Sequence, residues 1–324
     1  MPQNTATAAR NQEIRAWADT NATTTYGATY RAEFTASNCT AAIGLSTTTV
    51  ANILRGRDLN PPPSMSNRSS RRRALAGSAS RALGDSRRFG VEIEFLGIAR
   101  TRVEAALRSG DLPSGWSVKS DLSVHGGSGY GLELVSPPLR GEDGIDSVRR
   151  ACRWLRENGA SVNSSCGLHV HHEARDLGAP GIARVARIYT DHQELLNWLV
   201  SPSRRGGASG TTFAQPMARR DIEFTESHLP SLVAHTRYLA VNVNSYGRHG
   251  TVELRQHQGT LNTQKVEAWI RLGQGLCDAA AEQTRVSETG LRGLLQRLRV
   301  DEDAAAFLLG RALQFNAPSS AVGS

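Results

Sequence analysis

Three short segments of this chain each place two ionisable residues at i and i+2, with apolar residues between and beside them. They are Val91-Glu92-Ile93-Glu94-Phe95, Leu168-His169-Val170-His171 and Val252-Glu253-Leu254-Arg255. In a β-strand, residues i and i+2 point to the same face, so each segment reads as a strand with one charged and one apolar side. Three such strands in one sheet bury their apolar faces under helices and array the charged residues on the other face. Isolated charges of that kind are costly to desolvate, and carboxylates mixed with imidazoles on a shared face point to metal. An Arg in the same array adds an anion, most simply phosphate. The combination reads as an active site that handles a nucleoside triphosphate.

At 324 residues and 39% hydrophobic, the chain can bury one good core with room for a second small domain. No apolar run approaches membrane-spanning length and the first residues are polar, so neither a transmembrane helix nor a secretory signal is expected. The four cysteines, Cys39, Cys152, Cys166 and Cys277, show no paired spacing and read as reduced thiols of a cytoplasmic protein. The net charge of +8 is uneven: residues 1–88 hold 12 Arg against 5 acidic residues, and the remainder is close to neutral. Lys occurs only at 119 and 265, so coding bias can account for part of the Arg richness. A basic N-terminal arm nevertheless favours nucleic acid or another polyanion as a partner.

Along the chain, 1–58 reads as a small helical segment. Within it, Cys39, Ile43, Leu45, Val50 and Ile53 flank Gly44 and Ser46 at the offsets of two short helices joined by a tight turn. This resembles a helix-turn-helix, with Thr47, Thr48, Thr49 and Asn52 at the exposed start of a DNA-recognition helix. An ordinary helical hairpin capped by Ser46 fits the same residues. Residues 59–87, with Pro61-Pro62-Pro63 and Arg71-Arg72-Arg73, read as a linker. A catalytic domain is expected over 88–283, two further helices over 284–316 and a disordered tail over 317–324.

Inside the catalytic domain the pattern predicts strands at Phe89–Phe95, Ser117–Leu122, Leu132–Val135, Ala160–Glu173, Tyr238–Ser245 and Thr251–His257. Helices are predicted over Asp143–Asn158, Pro180–Val200, Asn262–Ala281, Ser287–Leu298 and Asp301–Phe315. The glycine-rich Gly126–Gly131 reads as a hairpin loop, with a phosphate cradle as the alternative. Residues 204–210 (RRGGASG) read as a flexible loop able to close over a ligand. The order is no regular βαβ alternation, and the fold class is α+β, with a largely antiparallel sheet and helices on one face. There is no GxxxxGK[ST] loop and no GxGxxG after a strand, so ATP use would need neither P-loop nor Rossmann crevice.

FGVEIEF (89–95), ELVSPPL (133–139), NSSCGLHVHHE (163–173) and HGTVELRQHQGTL (249–261), in that order, resemble the motif series of the amidoligase family. That family belongs to the carboxylate–amine ligases with the glutamine synthetase and glutamate–cysteine ligase fold, and the resemblance covers about residues 88–275. It implies ATP and Mg²⁺ or Mn²⁺ as cofactors, with Glu92, Glu94, Glu133, His169 and Glu253 as metal ligands. It implies His171 beside the nucleotide and Arg255 on the transferring phosphoryl group, with Glu253 and His169 sharing the catalytic role. Asp121, Arg237 and Asn244 match more loosely as substrate contacts, with Arg237 also towards ATP. Cys166 departs from the Ser or Gly common at its position in glutamine synthetases. The implied substrates are a small-molecule or peptide carboxylate and an amine, the latter supplied free or by a glutamine amidotransferase partner.

The chemistry explains these residue types. Amide formation in water is uphill, so the carboxylate is first activated as an acyl phosphate, and phosphoryl transfer requires charge neutralisation. Two rival readings fit part of the pattern: a zinc hydrolase using His169-x-His171 with Glu92, and a DNA-binding regulator whose C-terminal domain senses a nucleotide. His172 points to the opposite face and reads as structural, whereas His257 extends the face of Glu253 and Arg255. Of Asn242 and Asn244, a sheet-edge hydrogen-bonding role is the bland alternative.

Overall fold

The computed structural model describes residues 87–126, 129–206, 212–218 and 237–323. The expected helix-turn-helix, with Thr47, Thr48, Thr49 and Asn52, lies outside the described residues, as do the proline-rich linker up to residue 86 and Cys39.

The elements follow in the order β1 (Phe89–Phe95), α1 (Arg100–Ser109), β2 (Ser117–Gly126), β3 (Gly129–Val135), α2 (Gly141–Glu157) and β4 (Leu168–Glu173). Then come α3 (Gly178–Asp191), α4 (Gln193–Asn197), a 3₁₀ turn (Pro202–Arg204), β5 (Val241–Asn242), α5 (Ser245–His249) and β6 (Thr251–Leu254). Four helices close the chain: α6 (Thr263–Ala281), α7 (Leu291–Arg297), α8 (Glu302–Gln314) and α9 (Ser319–Val322). The strands form one six-stranded sheet in the order β2-β3-β1-β4-β6-β5, and every pairing is antiparallel. The α+β, antiparallel expectation is therefore met.

Period-two alternation decides the two faces of the sheet. Phe89, Val91, Ile93 and Phe95 of β1, Leu132 and Leu134 of β3, Leu168 and Val170 of β4, and Val252 and Leu254 of β6 are buried in one hydrophobic core. The buried stripes of α2 (Ile145, Val148, Cys152, Leu155), α3 (Ile182, Val185, Tyr189) and α6 (Val266, Trp269, Ile270) complete it. α6 packs against β4 at Gly273, where an added Cβ would sit 2.2 Å from His172 Nε2. His172 is accordingly fully buried on the helix side, as its position in β4 predicted.

Caps and ion pairs fix the helices. Asn262 caps α6 by accepting from Lys265 N–H, and Asp301 caps α8 by accepting from Ala304 N–H. Arg271 of α6 pairs with Glu267 at 2.8 Å, with Glu142 of α2 at 2.9 Å and with Asp301 at 3.2 Å. Arg87 enters the domain as a buried cation. It grips Asp176 through two hydrogen bonds (2.8 and 2.7 Å), Asp278 at 3.2 Å and the Glu173 carbonyl at the end of β4.

Several boundaries differ from the sequence expectation, each for a local reason. β2 and β3 run on into the glycine-rich stretch, so the hairpin is tighter than predicted. The His-bearing strand begins at Leu168 rather than Ala160, because Asn163 Oδ1 accepts from Ser165 N–H (2.9 Å) and Oγ (2.6 Å) and turns the chain. The helix expected over Pro180–Val200 breaks at His192, whose φ of −114° leaves the helical region and whose Nδ1 bonds the Ile188 carbonyl. The strand expected over Tyr238–Ser245 shrinks to two residues. Asn242 Oδ1 accepts from Asn244 N–H (3.0 Å), and Ser245 Oγ bonds the Asn242 and Thr251 carbonyls, which turns the chain into α5. β6 ends at Leu254, short of His257. Residues 317–323 are not a disordered tail: α9 lies there, with Ala317 and Val322 buried. Cys152, Cys166 and Cys277 are buried. Among the described residues no helix is long and apolar enough to cross a membrane.

Candidate active site on the polar face of the sheet

The antiparallel register that buries the apolar residues also aligns the charged ones. Glu92 lies opposite His169, Glu94 opposite Glu133, His171 opposite Glu253 and Asn242 opposite Glu253. Lys119 and Asp121 of β2 continue the row beside Glu133 and Gly131. Directly opposed residues in an antiparallel pair share a face, so all of these side chains project from one side of the sheet. Gly90 stands opposite His171.

His169 is at the centre. Its Nδ1 lies 3.2 Å from Glu92 Oε2 and 3.6 Å from Glu253 Oε1, and its Nε2 lies 3.6 Å from Glu94 Oε1. His171 Nε2 is 3.5 Å from Glu92 Oε1 and 3.9 Å from Glu253 Oε1, while its Nδ1 is within 3.0 Å of Thr251 Oγ1. Arg255 donates through Nη1 to Glu253 Oε1 (2.5 Å) and through Nε to the Phe213 carbonyl (3.3 Å). The other Glu253 oxygen accepts from Asn242 Nδ2 at 2.6 Å. Glu94 Oε2 accepts from the Gly167 N–H at 2.5 Å. Lys119 Nζ stands 3.9 Å from Glu133.

Electrostatics follow from this crowding. Burial would raise the Glu92 carboxyl, but the His169 and His171 imidazoles outweigh it and hold the group well below the usual carboxylate range. Burial, then the Glu92 and Glu94 carboxylates, push the Glu133 carboxyl up to about 9 against the opposing pull of Lys119. Glu253 is lowered, with His171, His169 and Arg255 overcoming its burial, and Glu92 and Glu253 raise His171 against the same penalty. Three groups bring ligand atoms within 4.8 Å of one another: Glu92/His171/Glu253, Glu92/Glu133/His169 and Glu94/Asp121/Glu133. Glu92 belongs to the first two and Glu133 to the last two, so the groups form a continuous row. His171 Nε2 is buried without a hydrogen-bond partner. The lone pair of that ring nitrogen and the Glu133 carboxyl, raised beside two other carboxylates, are features a divalent cation satisfies, so the residues present fit one.

Glu92, Glu94, Asp121, Glu133, His169, His171, Glu253 and Arg255 are thus brought together. Arg237 is not part of the cluster; it is exposed, with its guanidinium 5.2 Å over the Tyr238 ring, which meets Phe213 edge-on. Of the two asparagines, Asn242 reaches Glu253, and Asn244 stands at the start of α5. His257 leaves the face: it is buried against Trp269 of α6, 5.2 Å between ring centroids. Sequence reasoning named Asn244 rather than Asn242, because strand alternation places both on one face and only the pairing register opposite Glu253 separates them. It also passed over His249, which meets His171 edge-on at 6.1 Å, and the buried Arg204.

Fold and site together define an α+β protein with a carboxylate-rich, imidazole-bearing site on one face of an antiparallel sheet. The chain belongs to an amidoligase family: the family model described as "Putative amidoligase enzyme" matches residues 85–277, which hold all six strands. No curated protein matches the chain.

Proposed function

We propose that this protein is an ATP- and Mg²⁺-dependent carboxylate–amine ligase with a sheet of the glutamine synthetase-like type. One observation carries the reading: the row of overlapping carboxylate and imidazole groups ends at Arg255, a cation bonded to Glu253. An acidic row that holds divalent cations, with a guanidinium beside it, suits a polyphosphate.

Glu92, Glu94, Glu133, His169 and Glu253 would hold Mg²⁺ or Mn²⁺, with Asp121 and His171 extending the set at its two ends. The bound cation supplies neutralisation of phosphate charge. Five carboxylates against two imidazoles favour these hard ions over the zinc of a hydrolase. Asn242 fixes one oxygen of Glu253 and leaves the other toward His169, His171 and Arg255. Arg255, braced by the Phe213 carbonyl, stabilises charge on the phosphoryl group in flight. In the reaction the acid's carboxylate oxygen attacks the γ-phosphorus and ADP departs. The amine nitrogen then attacks the acyl carbon, phosphate leaves, and the nitrogen loses a proton. The basic segment before residue 87 is a separate proposal, contact with DNA, tested by salt-dependent binding of a duplex to the full chain.

Thermal unfolding with and without Mg²⁺·ATP tests the ligase reading. The wild type gains stability with ligand concentration only when Mg²⁺ is present, and Glu253→Ala does not. ADP release with a panel of acids and amines then identifies the substrates. Absence of any nucleotide-dependent shift, together with stoichiometric zinc in the isolated protein, would favour the hydrolase instead.

A further inference from the structure

Arg204 opens the segment that the sequence presents as a closing loop, yet it is only 3% exposed and firmly anchored. Ser201 N–H donates to Gln258 Oε1 at 2.9 Å, and the Arg204 carbonyl accepts from Gln256 Nε2 at 3.0 Å. Gln256 is itself held by Asn197 at 2.7 Å and by the Tyr189 hydroxyl. Arg204 Nη2 donates to the Cys166 carbonyl at 2.5 Å, and Gly259 N–H donates to the same oxygen at 2.7 Å.

That carbonyl belongs to the peptide unit whose N–H, on Gly167, donates to Glu94 Oε2. One peptide group therefore stands between a guanidinium and a carboxylate, its C=O toward the cation and its N–H toward the anion. Each bond polarises the peptide in the direction that strengthens the other. Glu94 is itself only 4% exposed, and a polar group so buried requires hydrogen-bond partners. The bond occupies Oε2 and leaves Oε1 toward His169 Nε2. A role limited to anchoring the loop would not need this charge. A neutral amide could donate to the same carbonyl at a lower desolvation cost, and Arg204 Nε is buried without a hydrogen-bond partner.

We infer that Arg204 is a positioning residue: acting through the Cys166–Gly167 peptide, it fixes the orientation of Glu94 and presents a single oxygen to a divalent cation. This rests on the cation-binding reading of the face above. The test is Mn²⁺ titration of the metal-free full chain, with thermal unfolding of the same samples. R204M weakens Mn²⁺ binding about tenfold or more, the range typical of residues that orient metal ligands. R204K restores most of it, and R204M adds no further loss on top of E94Q. Should R204M fail to fold, R204Q keeps a donor without the charge and carries the same comparison. Unchanged affinity in the uncharged variant, or an equal loss in the E94Q background, overturns the inference while leaving the site reading intact. A wild type that takes up no Mn²⁺ overturns both.

Discussion

A methyl group on Gly167 would lie 2.9 Å from His169 Nε2 and 3.4 Å from a Glu94 oxygen. The glycine is there because two site side chains and its own N–H crowd the position. Gly167→Ala should therefore displace the His169 ring and weaken Mn²⁺ binding by an order of magnitude or more, with the fold retained. Metal titration and circular dichroism of the variant check this. Most of the site was legible at this scale, because the charged residues are paired at i, i+2 and the strand period alone assigns them a face. Asn242 and Arg204 were not. The first needed the pairing register with Glu253, and the second reaches its partner through the backbone of a residue 38 positions away, which no local spacing reveals.

At the scale of elements, α6 packs on β4 with no room for a side chain at Gly273. Gly273 meets His172 there, and both ring nitrogens of His172 are buried without hydrogen-bond partners. Gly273→Ala should destabilise the protein by roughly 1–3 kcal/mol through overpacking. The same change in a His172→Ala background should cost less, and a double-mutant cycle by denaturant unfolding measures the difference. Helices with long apolar stripes were readable, as α2, α6 and α8 show. Elements that end through tertiary or side-chain-to-backbone bonds were not. His192 turns its ring to the Ile188 carbonyl and Gln193 clasps the backbone of Met217 from both sides, so the predicted long helix becomes two. Asn242 and Ser245 cut short the next strand in the same way.

For the whole molecule, two buried imidazoles set the acid limit. Burial, with Arg87 and His171 adding to it, pushes His172 down to about 3, and burial with Arg311 nearby holds His257 well below its ordinary value. The unfolded chain binds protons on both near pH 6.5, whereas the folded chain does not. Their contribution is thus fully present above about pH 6.5 and lost progressively as pH falls toward 3. Stability should drop by a few kcal/mol over that window, and His172→Leu should flatten the decline. Urea unfolding at a series of pH values reads both. The six-stranded order has another consequence, one for synthesis. Glu92 and Glu94 emerge first, their partners on β4 come some seventy-five residues later, and Glu253 later still. Since β1 pairs with β3 and β4 and the row closes only at β6, a nascent chain holds exposed, mutually repelling carboxylates until its last strand is made. Full cation uptake would then mark completion of the sheet, since a chain stalled before residue 253 lacks the Glu92/His171/Glu253 group.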